Sequence, residues 1–477
     1  MSDFHDFEEE NADEKNLADL ASTDKMVRAD AIERMARQAF EKGNSDKAII
    51  YLETSADLRE EIEDYSGLTN TFMQIGYLKA QNNHFAEAHA SYLAAAENAR
   101  KAMNGSLEID ALHLCGTMQR RMKNYSAAAD HFGHAASLAV EENYRFVAHI
   151  QADYARMLRK IGRTQEAEVL LAEAQQHFLT HGFETNVPRV ENELASALFD
   201  DSNIQLSLEK ATEAYHLAKY DENAREVDRA QFLMARCYNQ MGNYSEAHKI
   251  LTEMKTRDSF KKRQKHKART DLELARTLAG LERRQESADI LANLIPVLKI
   301  HKLQDEVTDA LRLQGHNLML VGEPLEAEQV LAEAIALADT LDLDQIQLEA
   351  TTLLAITYDI LDRTQAKVEQ YEIIASNPLN MGRLEFWMAA GELGLHYGKA
   401  GDGDVANRYI AAITNAPEGA VSAGIIGQSQ EAQYWLLLGQ GQKLKAKNMA
   451  NKALVNYLLD DRSSDAARLA VLIRDLG

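Results

Sequence analysis

The residues best equipped for chemistry in this 477-residue chain are arginines spread through its middle: Arg120, Arg156, Arg159, Arg229, Arg236, Arg269, Arg276 and Arg312. A guanidinium is planar, keeps its charge and grips a carboxylate through two parallel hydrogen bonds. Asn192 and Asn239 lie among them, and an amide offers a peptide backbone both a donor and an acceptor. Phe199, Phe232 and Leu272 add apolar surface. The chemistry suggested is recognition of acidic groups rather than bond making. No Ser or Cys nucleophile has a base at a telling spacing, and Gly439-Gln440-Gly441-Gln442 lacks the strand and the Lys-Ser/Thr ending of a phosphate loop. Cys115 and Cys237 match no metal spacing, and His113, His149 and His316 read as polar or packing residues. No catalytic residue, metal ligand or cofactor is therefore expected, and an enzyme is not.

Charge narrows the partners. There are 52 Lys and Arg against 74 Asp and Glu, a formal net charge of -22. Nucleic acid, which demands a positive footprint, is disfavoured. No run approaches the ~20 apolar residues that cross a membrane. The acidic N-terminus has no apolar core of a signal peptide. Two free thiols fit a reducing compartment, so a cytoplasmic protein is expected.

The arginines must be positioned by helices. Pro is scarce at 5 residues, and a small residue recurs every 39 or 40 positions: Ala36, Gly76, Gly116, Ala155, Ala195, Ala235, Ala275, Gly315, Ala355 and Gly394. Twelve residues after each comes a second series: Ala48, Ala88, Ala128, Ala167, Ser207, Ala247, Ser287, Ala327, Lys367 and Ala406, broken only by the lysine. Two antiparallel helices approach closely only where side chains are small. Glycines at 43, 162, 242 and 322 lie in the intervening turns, where they release the backbone from the helix. Larger residues such as Tyr92, Phe132, Leu171, Leu251, Leu331 and Tyr371 fill the spaces on the second helices. One such pair cannot bury its apolar face alone; a stack of pairs can.

Met73, Gly76, Phe85, Ala88, Tyr92 and Ala95, echoed by Tyr125, Ala128, Phe132 and Ala135, resemble the tetratricopeptide repeat signature. The resemblance spans residues 26 to 415. The family's usual unit is about 34 residues, so these longer units are similar to the subclass found in peptide-sensing bacterial regulators and kinesin light chains. The resemblance implies an all-α, right-handed solenoid of antiparallel helix pairs, with first helices lining a concave groove. Residues 1–24 are expected to form a disordered acidic tail, 25–415 ten repeats, and 416–477 a further pair with helices at 428–438 and 443–459 and a capping helix from Ser464. Asn415 to Gly427 reads as loop.

The family's groove-facing positions fall on Arg120, Arg156, Arg159, Asn192, Arg229, Arg236, Asn239, Arg269, Arg276 and Arg312. These are the expected peptide-binding residues, alongside His113, His149, Arg189 and His316. The competing reading pairs the arginines with acids of neighbouring repeats, such as Asp153, Asp200 and Glu273. A second basic run covers Lys255, Arg257, Lys261, Lys262, Arg263, Lys265, Lys267 and Arg269. The leading expectation is a non-enzymatic scaffold that binds an extended acidic peptide or protein segment. The alternatives are a peptide-responsive regulator and a structural subunit of a larger assembly. Self-association through the tail or the ends is a further option, with Glu8-Glu9-Glu10 occupying the groove.

Overall fold

Helix follows helix because the sequence repeats one 20-residue device: about 17 helical residues, then a turn closed by one left-handed residue. The computed structural model describes residues 18–257 and 263–475, so most of the acidic tail, with Lys261 and Lys262, lies outside the described residues. The left-handed positions fall at Gly43, Glu63, Asn83, Met103, Lys123 and Asn143, then at Gly162, Gly182, Ser202 and Glu222. Glycine adopts that backbone freely; for the others it is tolerated rather than preferred.

The chain forms two compact units, residues 1–241 and 242–477. In the first, α1 is Lys25–Glu41, α2 Ser45–Glu60, α3 Tyr65–Gln81, α4 Phe85–Lys101, α5 Gly105–Arg121 and α6 Tyr125–Glu141. It continues through α7 (Val147–Lys160), α8 (Thr164–Thr180), α9 (Val187–Asp200), α10 (Ile204–Tyr220) and α11 (Ala224–Gln240). The second holds α12 (Tyr244–Thr256), α13 (Gln264–Gly280), α14 (Arg284–Ile300), α15 (Gln304–Val321), α16 (Pro324–Thr340) and α17 (Asp344–Ile360). After them come α18 (Thr364–Ser376), α19 (Leu384–Ala400), α20 (Gly403–Thr414), α21 (Ala423–Gly439), α22 (Lys443–Leu459) and α23 (Ser463–Asp475). Among the described residues there is no β-strand. The architecture is an all-α, repeat-like solenoid of consecutive antiparallel helix pairs.

The small-residue series is buried throughout the first helices. At Gly76 and Gly116 the residue sixteen positions later is an aromatic ring that leaves no room for a side chain. A Cβ on Gly76 would lie 2.7 Å from the Tyr92 ring, and one on Gly116 2.9 Å from Phe132. Where serine replaces alanine in the second series it bonds back within its pair: Ser207 Oγ donates to the Ala195 carbonyl at 2.7 Å, and Ser287 Oγ to that of Ala275 at 2.6 Å. Lys367, the exception, reaches Asp359 at 2.7 Å and Glu392 at 3.1 Å, so its charge is matched rather than buried alone.

One expectation fails at the C-terminal end. The first helix of the last pair begins at Ala423, not Gln428. Ser422 caps it, accepting from the Ile425 N–H at 3.4 Å. Gly427 is no loop signal: a Cβ there would sit 2.9 Å from the buried Tyr457 ring, so the glycine admits a close neighbour.

Candidate functional site

Each first helix of the repeats carries its polar residues at fixed places, so successive first helices bring them face to face. In the first unit this assembles one charged cluster from α5, α7, α9 and α11. Its centre is two acids. Asp153 on α7 faces His113 Nε2 at 3.1 Å, Arg156 Nη1 at 3.1 Å, Arg189 Nη2 at 2.8 Å and Arg120 Nη1 at 3.7 Å. Glu193 on α9 has a side chain only 1% exposed and faces three arginines. Arg156 donates to it through Nε at 2.8 Å and also through Nη2, Arg159 Nη1 lies at 3.2 Å, and Arg229 Nη2 at 2.5 Å.

Two further acids flank this centre. Arg159 Nε lies 2.8 Å from Asp200, and Arg229 Nη1 3.2 Å from Glu226. Asn192 is buried and donates to Glu226 twice, to its backbone oxygen at 3.0 Å and its carboxylate at 2.9 Å. Arg236 lies over the Phe199 ring, 4.1 Å from its centroid, a cation–π contact. Asn239 is buried on α11.

Ionisation follows from this crowding. Burial pushes Asp153 up, yet the His113 hydrogen bond with Arg189 and Arg156 holds it well below the usual carboxylate range. Burial likewise opposes the Glu193 charge, and Arg229 and Arg156 overcome it. Both are carboxylates at neutral pH. Desolvation lowers Arg120, which has Asp153 as its attractive partner and Arg156, Arg121 and Arg189 as repulsive ones.

The remaining expected residues lie in the second unit and make a separate, smaller cluster on α13, α15 and α17. Arg276 pairs with Asp309 and approaches Glu273 at 4.0 Å. Arg312 reaches Asp309 at 2.9 Å and Glu349 at 3.2 Å. Arg269 reaches Glu306 at 2.6 Å. In the second basic run, Lys255 pairs with Asp271 at 2.6 Å.

Each arginine expected to bind a peptide thus already faces a carboxylate or a ring. Reading the sequence missed Glu193, the acid that organises the first cluster. A signal was present: Asp153, Glu193, Glu273 and Glu392 each stand two residues before the small residue of a first helix. It also missed His89, Cys115 and His131, whose ligand-type atoms all lie within 4.8 Å of one another.

No protein-family model matches the chain, and no characterised protein matches it by sequence. Solved structures do match its fold. The apo form of the quorum sensor NprR from B. thuringiensis is 15% identical, with a TM-score of 0.52 over 75% of this chain and 99% of that one. A STAND (signal transduction ATPase with numerous domains) protein from Pyrococcus horikoshii, which carries a tetratricopeptide repeat sensor, is 12% identical, with a TM-score of 0.50 over 82% of this chain and 56% of that one. A Rap protein complexed with Competence and Sporulation Factor is 13% identical, with a TM-score of 0.47 over 77% and 97%.

Proposed function

We propose that this chain is a non-catalytic, peptide-responsive protein of the long-repeat tetratricopeptide type, acting in the cytoplasm. Its first-helix face on α5, α7, α9 and α11 takes up an acidic peptide segment. The observation that carries this reading is that the cluster's charges bridge helices of different repeats. Arg120 and His113 of α5 and Arg189 of α9 meet Asp153 of α7, while Arg156 of α7 and Arg229 of α11 meet Glu193 of α9. The side chains of Arg120, Arg189 and Arg229 remain 29%, 24% and 29% exposed, so a ligand can reach them. A peptide carboxylate that draws on these arginines shifts the ties between successive repeats. Differential contact of this kind is what a ligand-driven change of state requires. The fold likeness to NprR accords with a sensing role.

The test uses the full chain and two fluorescent octapeptides, one rich in Glu and Asp and one rich in Lys, with binding followed by anisotropy. The acidic probe should bind, and added salt should weaken it. The variant R120Q/R189Q keeps Glu193 fully paired and should lose most of that affinity while retaining its helical circular dichroism. Equal binding of both probes, or unchanged affinity in the variant, sinks the proposal. Arg156 is left in place because it serves both buried acids, Asp153 and Glu193, so replacing it disturbs the fold as well.

A further inference from the structure

Away from the arginine cluster, three consecutive helices of the first unit bring together two imidazoles and a thiol. His89 lies on α4, Cys115 on α5 and His131 on α6. The two Nε2 atoms face each other at 3.1 Å, and the ring centroids are 5.1 Å apart at an interplanar angle of 63°. Cys115 Sγ completes the triangle, with each pair of ligand-type atoms within 4.8 Å. The thiol is fully buried against Ala88, Tyr92 and Met118, and both histidines are half-buried.

Two facing Nε2 atoms share at most one proton in a neutral pair, so one lone pair always points at the other ring. A cation between them uses both lone pairs. Tetrahedral zinc with Zn–N of about 2.0 Å and Zn–S of about 2.3 Å sets its ligands roughly 3.3–3.8 Å apart. The nitrogen pair, at 3.1 Å, is slightly closer than that spacing, and the sulfur, within 4.8 Å of both nitrogens, reaches it by a small side-chain shift. Desolvation lowers the pKa of both His89 and His131, keeping the imidazoles neutral as ligands must be.

We propose that His89, Cys115 and His131 form a binding site for a zinc ion. Two imidazoles and a thiolate select a borderline-to-soft cation over magnesium or calcium, which prefer oxygen. The thiol loses its proton to solvent as the Zn–S bond forms. Three protein ligands leave a fourth position for water. Because they come from α4, α5 and α6, the ion ties the second repeat to the third.

The test is a titration of reduced, tag-free full-length protein with Co2+ as the spectroscopic probe, followed by displacement with Zn2+. The expected result is a thiolate-to-cobalt charge-transfer band that saturates at one equivalent and is bleached by zinc. C237S, which alters the other buried cysteine, should keep the band, and C115S should lose it. H89Q and H131Q should each weaken zinc binding roughly tenfold or more, since even outer-shell losses cost 10–100-fold. Circular dichroism of the metal-free variants checks the fold, and the two histidine variants carry the test should C115S not fold. Absence of the band from folded wild type, its persistence in folded C115S, or unchanged zinc affinity in both histidine variants overturns the site.

Discussion

The two arginine clusters hold their partners at different depths. In the first, Arg120, Arg156, Arg159, Arg189 and Arg229 surround Asp153, Glu193, Asp200 and Glu226. In the second, Arg269, Arg276 and Arg312 meet Glu273, Glu306, Asp309 and Glu349. The Glu193 side chain is 1% exposed, whereas that of Asp309 is 20% exposed. A row of arginines in a repeat register therefore does not amount to a run of unpaired positive charge; acids accompany them, at depths that differ between the clusters.

The largest expected effect tests that difference directly. E193Q leaves three guanidinium groups around a neutral amide and should destabilise the first unit by about 3 kcal/mol, the scale for breaking a buried ion pair. D309N should cost about 1 kcal/mol, because water, Glu349 beside Arg312 and Glu273 beside Arg276 still serve its partners. Denaturant melts of the two variants give the comparison. The pH dependence has a definite sign. Glu193 and Asp153 are held below the ordinary carboxylate range, so their stabilisation is complete above the unfolded value of about 4 and is lost as pH falls below it. The gap between wild type and E193Q should accordingly narrow below about pH 4. A gap that widens in acid would remove Glu193 as the organising charge.

How much of this was legible beforehand depends on the kind of signal. Helix pairing was, because Ala36 through Gly394 and Ala48 through Ala406 repeat with few breaks and close approach of helices permits little else. Turns closed by Gly43, Gly162, Gly242 and Gly322 were legible for the same reason. The left-handed Glu222 and Lys302 were not, since those residue types do not announce that backbone. Gly424 and Gly427 misled, because a glycine that makes room for a neighbour looks the same in sequence as one that bends a loop. The arginines could be placed on one face, but Glu193 could not be singled out from the many acids. Its burial is decided by Arg156 and Arg229, which stand 37 and 36 residues away. His89 and His131, 42 residues apart, meet only through the stacking of two repeats.

A second contrast concerns packing and serves as a control on the first. At matching register positions, a Cβ on Gly116 would lie 2.9 Å from Phe132, whereas one on Gly394 would meet Tyr409 Cβ at 3.4 Å, an ordinary contact. G116A should cost about 1–3 kcal/mol through overpacking. G394A should be neutral or gain up to roughly 1 kcal/mol from helix propensity. Neither shift should respond to salt, because no charge changes. A salt-dependent loss in G116A would mean that the arginine cluster, not the Phe132 contact, limits the first unit.

The smallest effect comes from a pair of arginines placed alike in both units. Arg163 lies 2.6 Å through Nε and 2.6 Å through Nη2 from the two oxygens of Glu166. Arg283 makes the same fork to Glu286 at 2.7 and 2.6 Å. Hydrogen bonding lowers both glutamates and raises both arginines. The geometry is as good as any in the buried cluster, but both forks stand in water, which replaces a lost partner at little cost. R163A and R283A should therefore melt with the wild type within the scatter of repeated measurements. A clear loss in R163A alone would mean that the first unit depends on its charges even at the surface, and that burial of Glu193 is not what separates the two clusters.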